Sequence, residues 1–398
     1  MINKLHIRGY KSLQDTGELF VGNLNVLVGA NASGKSSFLQ SLLLLRQSSE
    51  GDKNVTDLHL SGPLYEAGTV LDVLHPAAEH SLSFEIGTVT GSTRHDFVHD
   101  RDHPLGTSSR LLKSVRPYMV PRGLAHRGNH FAYLNAERVG PRVTYELPSD
   151  DANLSGLVGK YGQFTAAVLA RSQNGSNNNM QDWPDKQNLL FPPDKDLRDL
   201  LAEGPARLDG HDLAKQIRDT DGRIDLLSNI MLGWVIPGAT FQADELAQAD
   251  AASLRFIRDP NGTKSSVRST HIGFGLSYAL PIIVAALSLH RDGIILVENP
   301  EAHLHPYSQS RMGSFLALLA GTGRQIFIET HSDHLVNGIR LAIKKGLVSP
   351  TTVVFNFFQK THDSDASSIQ QIRPDPNGKL STWPEGFFDQ IENDLAQL

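Results

Sequence analysis

The chain of 398 residues contains no cysteine. This absence excludes a disulfide framework, a thiolate zinc site and a cysteine nucleophile, and a reducing, cytoplasmic setting is the expected location. Apolar runs of the roughly twenty residues that a membrane helix needs are also missing, so we expect no membrane partner. The run from Met1 to Arg8 has the pattern of a short amphipathic strand rather than of a signal peptide.

Excess positive charge is lacking as well, because Lys and Arg number 37 against 43 Asp and Glu, for a net charge of −6. This balance argues against a protein that coats nucleic acid along its whole surface, but it leaves room for a local basic patch. Residues 94–130 are the candidate, since Arg, Lys and His accumulate there with little hydrophobic periodicity. A solvated face is an interpretation of at least equal weight, because no series of aromatic residues accompanies the charges.

The stretch from Gly29 to Ser36 predicts a phosphate-binding loop. An apolar, β-rich run ends at Gly29, the loop closes at Gly34, and an apolar helix follows. In such a loop the backbone N–H groups and the helix N-terminus face an anion, the lysine supplies a mobile charge, and the serine hydroxyl can bind Mg²⁺. The expected ligands are ATP and Mg²⁺, and the predicted cofactor-binding residues are Asn31, Gly34, Lys35, Ser36 and Ser37.

A second group of motifs lies near the C-terminus. Gly273, Gly275 and Ser277 precede an apolar helix and can present N–H groups and a hydroxyl to another phosphate. The apolar strand from Gly293 ends in Glu298, which a parallel sheet would place at its carboxyl edge, where a carboxylate can bind Mg²⁺ directly or through water. One helix later, a further short strand carries His331 at its end, where a γ-phosphate sensor is expected.

With these motifs in place, the chain resembles the ABC-type ATPases of repair proteins and of overcoming-lysogenization-defect proteins. More closely, it is similar to small stand-alone prokaryotic ATPases, often found in phage-defence operons, whose hallmark run Glu-Asn-Pro-Glu-Ala-His-Leu-His-Pro stands here from Glu298 to Pro306. The likeness covers residues 1–150 and 265–398. It implies an α/β fold of the P-loop NTPase type, an ABC-type nucleotide-binding domain with an antiparallel β-subdomain and a helical insertion.

The resemblance also implies an organisation in three segments. Residues 1–150 form an N-terminal lobe with the phosphate loop, and residues 265–398 form a C-terminal lobe with the signature, Walker B and switch-histidine motifs. Between them, residues 151–264 form a partly helical insertion, with a flexible loop near 171–188 where the sequence is polar and without pattern. The sequence shows no sustained heptad repeat, so no long coiled coil is expected.

By this resemblance Lys35 and Ser36 bind phosphate and Mg²⁺, and Glu298 takes the Walker B position as a metal ligand. Gly273 to Ser277 stand for the signature that completes a partner's site, and His331 is the switch histidine. The place of the glutamine loop is open between Gln40 and Gln47.

One departure concerns the catalytic base. Related ATPases usually carry a glutamate directly after the Walker B acid, but this chain has Asn299, whose amide cannot act as a general base near neutral pH. Slow turnover is therefore expected. Glu301, two positions later, is the alternative base if the turn directs it inward.

If the family geometry holds, the phosphate loop and the signature act on different nucleotides, so a homodimer or higher oligomer with shared ATP sites is expected. Two functions remain open. The first is a sensor and regulatory ATPase of a prokaryotic anti-phage system, which controls a separate effector, expected to be a nuclease. The second is a repair ATPase that binds DNA ends directly. DNA or a phage component is a further candidate partner.

Overall fold

The computed structural model describes residues 1–49, 55–78, 80–99, 110–118, 120–125, 129–148, 156–173, 216–217, 220, 223–258, 265–360, 366–388 and 395–397. The strands are β1 (Ile2–Tyr10), β2 (Leu13–Asp15), β3 (Leu19–Phe20), β4 (Leu24–Gly29), β5 (Val55–His59), β6 (Ser81–Thr88), β7 (Gly91–Val98), β8 (Leu111–Tyr118), β9 (Phe131–Leu134), β10 (Tyr145–Glu146), β11 (Thr240–Leu246), β12 (Ala251–Arg258), β13 (Ser265–Arg268), β14 (Ile294–Glu298), β15 (Gln325–Glu329), β16 (Val353–Lys360) and β17 (Ser367–Ile372). The helices are α1 (Lys35–Ser48), α2 (Val70–Val73), α3 (Arg122–Ala125), α4 (Thr165–Gln173), α5 (Ile224–Val235), α6 (Phe274–Ser288), α7 (Pro306–Gly321) and α8 (Asp333–Lys344).

A six-stranded sheet in the order β17-β16-β4-β15-β14-β9 forms the centre of the fold. All neighbours are parallel except β17, which pairs antiparallel with β16. The strands are almost continuously apolar because both faces of this sheet are covered. In β14, for example, Ile294 and Leu296 belong to one core cluster, while Ile295 and Val297 belong to the other.

The first core lies between the central sheet, α1 and a second sheet. That second sheet has seven strands in the order β2-β1-β6-β7-β8-β5, with β3 added to β1, and its pairs are antiparallel. On α1, Phe38 contacts the central sheet through Phe358, with ring centroids 5.9 Å apart.

The second core lies on the other face of the central sheet, where α4 to α8 pack. The third sheet, in which β12 pairs with β10, β11 and β13, contributes to the same core. Because β10 precedes residue 150 and its partner β12 follows it, this sheet joins chain from both sides of the first predicted segment boundary. The boundaries at 150 and 264 remain predictions.

This topology brings the site motifs together. Parallel strands have their carboxyl ends at one edge of a sheet, so Gly29 of β4, Glu329 of β15 and Glu298 of β14 end side by side. The register pairs Glu298 with Glu329 and Glu329 with Leu27. The strand that precedes His331 therefore lies between the phosphate-loop strand and the strand that ends in Glu298.

Several local predictions are confirmed. The phosphate loop joins β4 to α1, and the antiparallel subdomain forms. By contrast, the helix expected after Ser277 begins at Phe274, so Gly275 and Ser277 lie within its first turn. Most of the predicted flexible loop at 171–188 lies outside the described residues.

Two regions differ from expectation or extend it. The segment from Arg94, which the sequence left without periodicity, contributes β7 and β8 to the antiparallel sheet. Near the C-terminus, Leu380 and Phe387 are 7% and 1% exposed and join the second core. The segment that carries these two residues is therefore part of the packed domain.

Candidate functional site

The phosphate loop has a backbone that few side chains permit. Ala32 and Gly34 have φ values of 58° and 101°, in the left-handed region that favours glycine. A side chain at position 34 would also collide with two serines, since a Cβ there would lie 2.6 Å from Ser367 Oγ and 2.9 Å from Ser12 Oγ. Gly34 is the N-cap of α1, so the loop leads directly into the helix N-terminus, where unpaired N–H groups bind anions.

Lys35 is held inside this loop. Its Nζ donates to the carbonyl oxygens of Gly29 at 2.9 Å and Ala30 at 2.7 Å, and the residue is 3% exposed. Burial lowers the pKa of this ammonium, while the charge of Glu329 raises it. The lysine therefore provides a positive charge that is partly desolvated, which strengthens its interaction with a phosphate.

The loop borders a cleft of about 440 Å³. All five predicted loop ligands line it, and so does His331. Gln40, one of the two glutamine-loop candidates, also lines it, as do three residues outside the loop that were not predicted, namely Lys11, Ser12 and Glu329. A cleft of this size is within the range of small-molecule sites.

Lys11 and Gln40 form one polar contact at the cleft. Lys11, in the turn between β1 and β2, donates from Nζ to Gln40 Oε1 at 2.9 Å and contacts the Tyr65 hydroxyl. Of the two candidates for the glutamine loop, Gln40 thus lies at the cleft. The Gln47 side chain instead donates to His59 O at 2.7 Å and accepts from Tyr65 N at 3.1 Å, so it holds the turn after β5.

The carboxylate that contacts the loop serine is Glu329, which sequence reasoning passed over. The Ser36 hydroxyl donates to Glu329 Oε1 at 2.8 Å. Glu329 is 7% exposed, and its Oε2 has no hydrogen-bond partner among the described residues. Burial raises its pKa, the bond from Ser36 opposes that rise, and the charge of Glu298 adds to it. A buried carboxylate with one unpaired oxygen beside a serine hydroxyl fits a divalent cation.

Glu298, the predicted metal ligand, lies one strand further from the loop. Its Oε1 accepts from the Tyr133 hydroxyl at 2.8 Å, and its Oε2 accepts from Ala136 N at 3.2 Å. Ser36 therefore pairs with Glu329 and not with Glu298. In the sequence, Glu329 could have been noticed only as a carboxylate at the end of a predicted strand. The strand order is needed to show that β15 adjoins the phosphate-loop strand.

The turn after β14 carries the two candidates for the general base. Asn299 has a left-handed φ of 44°, and its N–H donates to Glu329 O at 2.8 Å. Glu301 points toward Thr330 and His331, which we call the switch segment, and its carboxylate accepts from Thr330 Oγ1 at 2.8 Å and from His331 N at 2.7 Å. Burial raises the pKa of Glu301, whereas the His331 N–H bond lowers it. Both Glu301 oxygens are thus engaged in holding the switch segment.

His331 itself is exposed at the rim of the cleft. Partial desolvation of the imidazole lowers the pKa of His331, and the nearby Lys35 charge acts in the same direction. The imidazole is therefore biased toward its neutral form, which can donate a hydrogen bond to a phosphate oxygen from one ring nitrogen.

The signature residues lie at a separate place, and none of them borders the cleft. Gly273 is exposed at the start of α6, and the next residue, Phe274, is 50% exposed. Ser277 is 3% exposed, and its hydroxyl is buried without a partner among the described residues. The accessible tip of α6 is thus formed by Gly273, Phe274 and Gly275. The Ser277 hydroxyl does not face solvent as the sequence suggested.

Comparisons with known proteins agree with this geometry. Residues 1–91 match the family described as "AAA ATPase domain", and residues 141–337 match "AAA domain, putative AbiEii toxin, Type IV TA system". Residues 348–398 match "Protein of unknown function (DUF3696)". No curated protein matches the chain.

Among solved structures, the chain is similar to the Smc head domain of Pyrococcus furiosus, solved with an extended coiled coil and bound to the C-terminal domain of ScpA. The TM-score is 0.51 at 12% identity, covering 100% of this chain and 98% of the other. The SMC head domain of Thermotoga maritima gives a TM-score of 0.41 at 10% identity, over 93% of this chain and 98% of that one.

The fold is of the P-loop NTPase type, with a mixed α/β core and an antiparallel sheet, and two segments of the chain match AAA families. Because both matched families are described as AAA domains, ATP is the ligand that we propose for the cleft. Among the described residues, none of the helices has the length and apolar character needed to cross a membrane.

Proposed function

We propose that this protein is a nucleotide-switched regulatory ATPase, in which two copies share two ATP sites and ATP controls their association. The observation that carries the proposal is the separation of the two half-sites. The cleft holds the phosphate loop and His331, whereas the exposed tip of α6 lies outside that cleft. A second copy in head-to-tail orientation would supply its α6 tip to the first copy's nucleotide, so ATP would join the two chains.

Within the cleft, each residue has a task that its contacts support. The loop N–H groups and Lys35 bind the phosphates, and His331 donates to the terminal one. Ser36 and Glu329 would hold Mg²⁺, with Glu298 as a neighbouring carboxylate. When bound, this ion neutralises charge on the transferred phosphoryl group.

Hydrolysis is proposed to be slow because the turn after β14 lacks a free base. Asn299 can orient water but cannot accept its proton. Glu301 already accepts two hydrogen bonds from the switch segment. An ATPase with these properties remains in its ATP-bound, associated state for long periods.

Such a lifetime suits a sensor that restrains an effector until a trigger arrives, and we propose a cytoplasmic role in prokaryotic anti-phage defence. The match to a family whose description names an AbiEii toxin supports the defence setting. The Smc head that shares the fold was solved with a bound ScpA domain, so a head of this shape can hold a separate protein. For this chain we propose a nuclease as the effector.

The alternative, direct binding of DNA ends, receives less support. Two arginines of the candidate basic segment face acids, Arg94 with Asp96 at 2.8 Å and Arg110 with Glu66 at 3.9 Å. Such pairs reduce the net positive charge available to phosphates. A DNA titration at several salt concentrations separates the two functions, because direct binding requires a steep decrease of affinity with salt.

Sedimentation velocity with and without ATP and Mg²⁺ tests the proposal. The wild type should shift to a dimer when ATP is present, and Lys35→Ala should bind no ATP in calorimetry and stay monomeric. Unchanged ATP affinity in Lys35→Ala would overturn the site. A wild type that binds ATP without changing its mass would overturn the shared-site dimer.

A further inference from the structure

Arg138, which the sequence did not single out, lies behind the candidate catalytic turn. It follows β9, is 3% exposed and does not border the cleft. Its NH1 donates to Asn135 O at 3.0 Å and to Glu298 O at 2.7 Å, and its NH2 donates to Asn299 O at 2.7 Å. The planar guanidinium thus bridges two successive carbonyls at the end of β14, which a single ammonium cannot do in the same geometry.

The bridged backbone is strained. Asn299 and His303 both have left-handed φ values, 44° and 61°, although neither is glycine. Residues in such conformations persist only where the surroundings hold them. Burial lowers the pKa of Arg138 to about 10, against the opposing charge of Glu301. Burying a charged arginine costs free energy, and the hydrogen bonds from Arg138 to the turn offset that cost.

The same turn contacts the start of α6. The Arg138 guanidinium carbon lies 5.1 Å from the centroid of the Tyr278 ring, a distance typical of a cation–π contact. At the other end of the turn, the His303 ring lies 4.6 Å from Tyr278 and 5.2 Å from Phe274. One end of the turn is therefore joined to α6 through Arg138, and the other end packs directly against this helix, whose tip is the proposed partner contact.

In the opposite direction, the turn reaches the nucleotide cleft. Glu301 accepts hydrogen bonds from Thr330 and from the backbone of His331, which lines the cleft. Residues 298–303 thus contact both half-sites of one subunit. A change in the position of the switch segment can reach α6 through packed groups alone.

We propose that Arg138 is a positioning residue that couples the two nucleotide half-sites of one subunit, by fixing the 298–303 turn against α6. This inference rests on the proposed shared-site dimer. Without the bridge, the cleft still binds ATP through Lys35 and Ser36, but the α6 tip is no longer set by the state of the switch segment. Loss of coupling should therefore weaken ATP-dependent association while leaving ATP binding by the single subunit intact.

The test compares Arg138→Lys with a matched control, Arg324→Lys. Arg324 is also 3% exposed and bonds a backbone carbonyl, Leu289 O at 2.9 Å, but it lies at the opposite end of β15 from Glu329. Each full-length protein is titrated with a fluorescent ATP analogue. The protein concentration is kept below that at which the wild type dimerises. The dimer dissociation constant with ATP, the kcat and the Tm are then measured.

Arg138→Lys should keep the wild-type affinity for the analogue, weaken the dimer by about 5- to 150-fold and lower kcat. Arg324→Lys should lower the Tm but leave the dimer constant unchanged. Equal weakening in both variants, or an unchanged dimer constant in Arg138→Lys, would overturn the inference. A wild type that does not dimerise with ATP would instead overturn the proposed function.

A second variant covers the case in which Arg138→Lys does not fold. Tyr278→Leu removes the ring under the guanidinium and leaves the carbonyl contacts in place. It should weaken the ATP-dependent dimer in the same direction with unchanged affinity for the analogue. A Tyr278→Leu dimer as tight as that of the wild type would overturn the proposed coupling through α6.

Discussion

The substitution Asn299→Glu places a general base where related ATPases carry one. The side chain at this position starts from a left-handed backbone, and the Asn299 Oδ1 is buried without a partner among the described residues. Glu298, Glu301 and Glu329 are close neighbours in the turn and the adjoining strand ends, and their charges should raise the pKa of a new carboxylate. A raised pKa brings the base nearer to the working pH.

The expected gain in kcat is about 10²- to 10⁴-fold, the usual contribution of a positioned base. That factor corresponds to about 2.7–5.5 kcal/mol in the barrier. Against it, a glutamate in the left-handed region costs about 1–2 kcal/mol of stability. The Tm should therefore fall while the rate rises, so the two effects are measured separately.

Phosphate release and dimer lifetime are the assays, and Asn299→Gln is the matched control. It has the length and the backbone cost of the glutamate but no base, so it should lose stability without gaining rate. Asn299→Glu should also shorten the lifetime of the ATP-bound dimer. If Asn299→Glu is no faster than Asn299→Gln, the missing base does not limit the wild type, and the slow-switch proposal is wrong.

Glu301→Gln tests whether Glu301, two residues after Asn299, is the general base. On sequence alone this variant would be silent unless Glu301 is the base, but the structure predicts a third outcome. The amide oxygen of glutamine can still accept one of the two bonds, but its nitrogen cannot accept the other, so kcat should fall by about tenfold through the displaced switch segment. Fast wild-type turnover that collapses in Glu301→Gln, with loss of the acidic limb of the pH–rate profile, would identify Glu301 as the base.

Three further outcomes are expected. Gly273→Arg should abolish the ATP-dependent dimer in sedimentation without lowering the Tm, because a Cβ at Gly273 meets no atom within 4 Å, whereas a Cβ at Gly275 would meet His303 O at 2.7 Å; a dimer as tight as that of the wild type would remove α6 from the interface. The pKa of Glu329 is raised above its ordinary 4.5. The protonated carboxyl group therefore stabilises the fold fully below pH 4.5, and this contribution is lost as the pH rises through the raised pKa. The increase in Tm caused by Mg²⁺ should therefore grow with pH in the wild type and be flat in Glu329→Gln, and parallel curves would exclude Glu329 as a ligand. Phe387→Ala should cost about 3–5 kcal/mol in denaturant unfolding, because the side chain is 1% exposed; a loss below 1 kcal/mol would show that this segment is not part of the core.

The Phe387→Ala prediction bears on a truncation test that the sequence alone would favour, namely removal of the C-terminal residues after Gly378. Ending the chain after Gly378 would remove Leu380 and Phe387 from the second core. Such a protein should unfold for reasons unrelated to any partner. Ending the chain after Phe388 keeps this packing and is the better test of whether the terminal residues bind an effector.

The sequence by itself determined the phosphate loop and the kind of fold. The requirements there are local: glycines where the backbone turns, a lysine and a serine at a helix start, and apolar runs on either side. The residues predicted from these local patterns, Lys35, Ser36 and His331, line one cleft. The absence of a glutamate at position 299 is likewise a fact of the sequence.

Tertiary structure decided which distant groups meet. Nothing local marks Glu329 as the partner of Ser36, because that contact depends on β15 lying beside β4. Nothing in the sequence distinguishes Arg138 from other charged residues. The structure shows that its guanidinium donates to two carbonyls of the 298–303 turn. Ser277, by contrast, looked accessible, and helix packing buries it. Strand order and helix packing are set by contacts between residues far apart in the chain, so a local pattern could not reveal these three placements.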